Sequence, residues 1–285
     1  AFGTGTLVRG ATGDLTWTIQ NSTLTFSGNG EMGDYDTVKS YYAPWHDMMA
    51  AGTLMGGVVF DGSVTSIGDG AFRDAAQAVS IPETVTRIGD YAFYGCTKQG
   101  SVSFSGSLKQ IGAHAFEGSF LTGARFASGL EEIGDYAFYG TLLPSVSLPG
   151  TLRSLGDYAF YADTRYVRYL ESVSVPASVT HWGSHVFARQ DKLAYVSLAN
   201  GLAEIGEYAF AECTALTNIT LPDSVKDIGA YAFYNAYHLN YNLPGQLETI
   251  GDYAFYLSSV GNDMDSVTLP STVRRTGRNS FQKTN

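Results

Sequence analysis

One phrase governs what this chain can become. IGDYAFYG occupies residues 88–95 and recurs unchanged at 133–140, and LGDYAFY (155–161), IGAYAFY (228–234) and IGDYAFY (250–256) follow. Aligned on its phenylalanine, the phrase returns at Phe72, Phe93, Phe116, Phe138, Phe160, Phe187, Phe210, Phe233, Phe255 and Phe281, at intervals of 21 to 27 residues. Ten copies of a unit near 22 residues therefore fill the chain from about residue 54 onward. Each copy is too short to bury its own apolar face, so neighbouring copies must stack and bury it together.

The segment 215–236, ALTNITLPDSVKDIGAYAFYNA, reads as one such unit. Leu216, Ile219 and Leu221 form L-x-x-I-x-L, and alternation puts Ile219 and Leu221 on one face of a strand with Thr220 on the other. Pro222 ends that strand because it has no amide donor. Val225 and Ile228 begin a second short extended piece, Gly229 permits a turn, and AYAFY reads as a short helical turn. A period of 20–29 residues with this pattern predicts a leucine-rich solenoid. The two longer intervals predict insertions, DTRYVRYLE around Tyr166 and LSSVGNDMD around Gly261.

Residues 1–53 do not repeat and are expected to be a capping region on a solenoid of residues 54–285, the two making one continuous domain. LTWTI (15–19) and TLTFS (23–27) alternate around QNS and predict a hairpin. APWHDMMAAG (43–52) predicts a short helix with Pro44 near its first turn and Gly52 at its end. At the far end Thr276 stands in the Ile slot and Ser280 in the Ala slot, as expected of an atypical terminal copy or of a chain that continues into a further domain. An opening at AFGTGTLVRG, without Met, fits a trimmed or mature piece.

Several motifs invite chemistry. The aspartates Asp69, Asp90, Asp135, Asp157 and Asp252 read as N-caps of the short helical turn in preference to calcium ligands, which would need a nine-residue rhythm. GNGEMG (28–33) has the G-x-G-x-x-G spacing, but no helix opens at Gly30 and Glu31, Asp34 and Asp36 would repel a pyrophosphate, so a glycine-rich turn is expected. His181 and His185 are four apart, yet a turn at Gly183 separates them, and His185 and His114 each fill a Tyr slot of the repeat; no metal is expected. Cys96 and Cys213 fall in the same slot five copies apart, roughly 24 Å at the strand spacing, too far for a disulfide, so two buried thiols are expected. No nucleophile–base pairing stands out and G-x-S-x-G does not occur, so no enzyme and no cofactor are expected. Seventeen Lys and Arg against 27 Asp and Glu, a net charge of −10, disfavour a nucleic-acid partner. No apolar run reaches the length of a membrane span.

What remains is surface. Residues flanking the inward side chain of each first strand face outward onto the expected concave sheet: Ser101 and Ser103, Gly123 and Arg125, Ser145 and Ser147, Ser172 and Ser174, Tyr195 and Ser197, Asn218 and Thr220, Tyr241 and Asn242, Ser266 and Thr268. Arg125, Tyr195, Asn218 and Tyr241 are the larger features on this Ser/Thr floor and the candidate binding residues; the alternative is that the hydroxyls merely pave a solvated sheet. A second row, Tyr94, Tyr139, Tyr161, Tyr234 and Tyr256, is expected to pack between copies, with an exposed interaction surface as the alternative.

The repeated I-G-x-x-A-F core is complete in eight copies if Leu155 stands for Ile; the copies with Trp182 and Val186 and with Thr276 and Ser280 depart. With a head carrying LTWTI…TLTFSGNGEM…PW, this pattern resembles the BspA-like (Treponema pallidum-type) leucine-rich repeat proteins over essentially the whole chain. The resemblance implies an α/β fold: a right-handed solenoid of about ten coils with a parallel concave sheet, short helical turns and a hairpin-plus-helix cap. It also implies a bacterial cell-surface or secreted location and a non-catalytic role in adhesion to host or cell-surface protein, with no catalytic residues and no specific ligand carried over. The chain is expected to act as a monomer. A glycan-recognition or spacer segment of a larger cell-wall protein is the alternative.

Overall fold

The computed structural model describes residues 7–35, 41–162, 170–237, 239–258 and 267–282. The insertions expected around Tyr166 and Gly261, and Ser266, lie outside these residues for the most part. The chain forms two compact units, Ala1–Thr141 and Leu142–Asn285. The first holds the head and the copies of Phe72 to Phe138, the second those of Phe160 to Phe281.

The head's hairpin pairs Leu15–Gln20 with Thr23–Ser27, and its tight turn uses Asn21 and Ser22, both at positive φ. An additional strand, Val8–Thr12, pairs antiparallel with Leu15–Gln20 and extends the sheet outward. On the other side Thr23–Ser27 pairs in parallel with Gly57–Asp61, the first strand of the repeats. The expected helix spans His46–Ala50, and Gly52 follows it at φ +64. It seats Trp45, fully buried, against Phe26, Trp17 and Tyr35 at ring-centroid distances of 4.8, 5.7 and 5.4 Å. The Trp45 indole N–H donates to the Ala71 carbonyl at 2.7 Å, tying the cap to the first repeat.

GNGEMG is part of this architecture and more than a glycine turn. Gly30–Glu31 pairs in parallel with Val64–Ile67, buried Met32 takes the Ile slot, and Asp34 accepts from the Asp69 amide at 2.9 Å. M-G-D-Y (32–35) is thus a degenerate I-G-D-Y, and the head contains a partial coil of its own.

A full copy presents three hydrogen-bonded sides. In the first unit the short second strands Val64–Ile67, Arg87–Ile88, Gln110–Ile111 and Glu132–Ile133 stack in parallel; in the second, Ser154–Leu155 pairs with His181–Trp182, and Glu204–Ile205, Asp227–Ile228, Thr249–Ile250 and Arg275–Thr276 form a parallel ladder. Among the described residues first-side strands serve six copies and the Asn218–Asn240 bridge joins two more, a solenoid of about eight turns, slightly fewer than the ten expected. The phenylalanines stack centrally: Phe93 lies 5.0 Å from Phe116 in the first unit, and Phe187 lies 5.6 Å from Phe210 in the second.

The third side takes the form of single three-residue turns: Ala92 N–H donates to Gly89 O, Tyr94 to Tyr91 O and Cys96 to Phe93 O. The amides of Tyr91, Phe93 and Gly95 instead reach the next copy, at the carbonyls of Ala113, Ala115 and Glu117. Turning alternate amides outward requires left-handed backbone, and Tyr91, His114, Tyr136, Tyr158, His185, Tyr208, Tyr231 and Tyr253 all have φ between 53 and 62. Each such residue costs roughly 1–2 kcal/mol, offset by the bond it makes to its neighbour.

Two expectations are corrected here. The aspartates do not cap their own turn: Asp90 Oδ1 accepts from Ala113 N at 2.8 Å, Asp157 Oδ1 from Ser184 N at 2.7 Å and Asp252 Oδ1 from Arg278 N at 2.7 Å, each in the following copy. The glycine preceding them serves close approach more than turning, since a β-carbon on Gly134 would sit 2.7 Å from Ala113 N and one on Gly229 2.6 Å from Glu207 N.

Candidate binding face

Tyrosines of both slots pack between copies, those of the second slot as expected where Tyr234 meets Tyr256 and Tyr161 meets His185. The continuous inter-copy rows belong to the first slot, Tyr91–His114–Tyr136 in one unit and Tyr158–His185–Tyr208–Tyr231–Tyr253 in the other, with centroids 4.0 to 4.9 Å apart. In the second slot Tyr234 stacks on Tyr256, while Tyr94 and Tyr139 lean on the first tyrosine of their own copy. His185 is sandwiched between Tyr158 and Tyr208, and burial lowers its pKa. It acts as a flat ring in the row, while His181 lies exposed on the second side.

Cys96 and Cys213 are buried free thiols, each donating at 3.2 Å to the carbonyl of a phenylalanine one copy back, Phe72 and Phe187. Burial pushes both up to about 12. Because a thiol's reactive form is the thiolate, neither is expected to react with iodoacetamide in the native protein at pH 8, and both should label in urea. Labelling at equal rates in both conditions would contradict their burial. An unfolded thiol ionises near 9, so the native state holds more protons above that pH and stability falls as pH rises from 9 towards 12.

The first-side strands carry the predicted face. Ser101 and Ser103 lie opposite Gly123 and Arg125 in the first unit. In the second, Ser145, Ser172 and Tyr195 form one column and Ser147, Ser174 and Ser197 another, with Val146, Val173 and Val196 between them. The valines turn inward and the flanking residues outward, as strand alternation requires.

Arg125 is exposed in the first unit. Tyr195 and Asn218 meet in the second, where both line an open groove of about 590 Å³ floored by the serine columns and completed by Ala194, Thr217 and Thr220. Tyr195 is 74% exposed. Among the described residues the hydroxyls of Ser145, Ser147, Ser172, Ser174 and Ser197 have no protein partner, and no ionised side chain lines the groove.

Tyr241 does not join this face. Asn240, not Tyr241, bridges Asn218, so the strand is shifted by one residue from the expected phase and its side chains exchange faces. The Tyr241 ring turns inward onto Phe255, 4.2 Å away and nearly parallel, and burial raises its phenol well above the ordinary range. Asn240 is the outward residue that was missed; its amide donates to Asn218 Oδ1 at 3.3 Å.

A second groove of about 500 Å³ on the second side of this unit differs in charge. Glu204, Asp227, Asp252 and Arg275 line it, and burial together with the facing Asp227 raises the Glu204 carboxyl. Thr249 Oγ1 donates to Asp227 Oδ1 there at 2.5 Å.

Against this geometry, the model of the BspA type leucine rich repeat region matches residues 52–167 and 165–285. The chain belongs to the BspA-type leucine-rich-repeat family. Its fold is that of a leucine-rich repeat protein from Bacteroides ovatus ATCC 8483, at a TM-score of 0.53 and 24% identity over 93% of this chain. This BspA-type chain spans 60% of that protein's length. More distant likenesses include a leucine rich cell surface protein from Faecalibacterium prausnitzii A2-165 (TM-score 0.33, 16% identity, 97% of this chain and 96% of that one) and the T. pallidum leucine rich repeat protein (0.41, 20%, 78% and 83%). No curated protein sequence matches the chain. The recurrent Ile, Gly, Ala and Phe of the phrase serve the stacking of these BspA-type repeats. Among the described residues no helix is long and apolar enough to cross a membrane.

Proposed function

We propose that this chain is a non-catalytic binding module of a bacterial surface or secreted protein, and that it attaches to host or neighbouring cells through the first-side face of its second unit. The observation that carries the reading is Tyr195, a large ring 74% exposed amid partnerless serine hydroxyls. Family membership supports it, because the invariant residues of a repeat of this type build a scaffold and leave the outward strand positions free to select a ligand. One outward column on this face varies, Ser145, Ser172, Tyr195 and Asn218 standing in successive copies, while the other stays serine through Ser147, Ser174 and Ser197 and the inward positions stay apolar. Outward positions that differ from copy to copy on a rigid ladder are what a recognition surface requires.

The test is attachment of the fluorescently labelled chain to mammalian cells and to extracellular-matrix preparations. Tyr195→Ala combined with Asn218→Ala is expected to lower attachment roughly tenfold or more, since exposed aromatic anchors dominate such surfaces. Both positions are exposed, so the variant should keep its thermal midpoint. Attachment that is indifferent to the pair would remove this face from the function.

A further inference from the structure

We propose that the groove around Tyr195 is a binding site for a neutral oligosaccharide. This deepens the reading of the face as a docking surface and rests on it.

Charge is the first argument. The chain carries a net charge of −10, and the groove on the second side of the same unit is lined by three carboxylates and an arginine. The groove around Tyr195 has no Asp, Glu, Lys, Arg or His in its lining. A basic segment, an acidic peptide or a phosphate would find no counter-charge there, and such partners depend on charged contacts for affinity and register. A neutral polyhydroxylated ligand needs none.

The second argument is hydrogen-bonding capacity. Each free serine hydroxyl offers one donor and two acceptors. Parallel pairing repeats them along each column at roughly 4.8 Å, so Ser145 and Ser172 in one column and Ser147, Ser174 and Ser197 in the other form a regular two-row lattice. The Asn218 amide, already held by Thr217 at 3.1 Å and Asn240 at 3.3 Å, lines the groove beyond them. Groups that can each act as donor or acceptor match a ligand whose own groups are hydroxyls.

The third argument is the ring. Tyr195 rises out of the serine column in register with Ser172. A pyranose presents C–H groups on one face and hydroxyls at its rim, so its apolar face can lie on the aromatic ring while its rim meets the serines. The groove's volume, about 590 Å³, lies within the ~300–1,000 Å³ of small-ligand sites. A protein partner would be expected to use several aromatic or arginine anchors around a dry centre; this groove offers a single aromatic over a floor in which serine hydroxyls flank Val146, Val173 and Val196.

Titration of the intact chain with cellohexaose, laminarihexaose and mannohexaose, followed by calorimetry, tests the proposal, with polygalacturonate as the acidic control. At least one neutral hexasaccharide should bind and the acidic polymer should not. Tyr195→Ala should weaken that binding roughly tenfold or more and Ser174→Ala several-fold, whereas Tyr195→Phe should retain most of it. Saccharide binding unmoved by Tyr195→Ala, or preference for polygalacturonate, would overturn the assignment. So would a chain that binds none of the three while still attaching to cells through Tyr195; that result would leave the docking face standing and give it a protein ligand.

Discussion

Phe210→Ala is expected to lower the free energy of unfolding by about 3–5 kcal/mol. The ring is fully buried and lies between Phe187 at 5.6 Å and Phe233 at 5.7 Å, with Trp182 against it at 6.4 Å. The cost should fall toward the top of that range because the site cannot collapse. Backbone bonds from Phe187 N–H to Ala209 O and from Phe210 N–H to Ala232 O hold the flanking copies at fixed spacing. Removing the ring therefore leaves a cavity between them. Phe281→Ala is the internal control, since that ring is only half-buried and stacks on Phe255 alone among the central rings. Urea titrations of the two variants should differ clearly in midpoint; an unchanged midpoint for Phe210→Ala would contradict a shared apolar interior.

Trp45→Ala should have an effect of the same order, about 3–5 kcal/mol for the lost ring. The Ala71 carbonyl would also lose its indole donor, at a cost of roughly 1–3 kcal/mol if no water replaces it. Because Trp45 joins Phe26, Trp17 and Tyr35 to the first repeat, the loss opens the end of the stack as well as the cap. The variant is expected to bind a hydrophobic dye in the native baseline and to unfold at lower temperature. Trp45→Phe should lie between, keeping much of the packing without the hydrogen bond. A melting point for Trp45→Ala within experimental scatter of the parent would show that the head does not seal the repeats.

Much of this architecture could be read from the residues. The Phe period marked the copies, alternation within TLTFS and LTWTI marked the hairpin, and Pro44 and Gly52 framed the helix. The outward serine columns also followed from alternation, because a strand's period of two leaves little freedom once one face is apolar. Reading failed where one copy is shorter than its neighbours. In HLNYNLP the spacing from Leu239 to Pro244 is one residue less than from Leu216 to Pro222, and counting back from the proline would have placed Tyr241 in the Ile219 slot. The degenerate M-G-D-Y of the head was legible too, but its glycines read as a turn.

Other features had no one-copy signature. The aspartates resemble caps from sequence because Asp precedes a turn in both cases; only the stacking reveals that the acceptor serves the amide one copy on. The same holds for Gly134 and Gly229, whose missing side chain makes room for a neighbour about 22 residues away in sequence. The left-handed tyrosines follow as well, since their unusual backbone is stabilised by bonds between copies.

By itself, then, the sequence determined that the chain stacks, where each copy begins and which side chains face inward, because a repeated apolar pattern admits no other way to bury itself. Tertiary structure decided which groups are shared between copies and which remain free. The serine hydroxyls became an open lattice only when parallel pairing aligned them. Partnership of that kind belongs to pairs of coils, and no single copy encodes it.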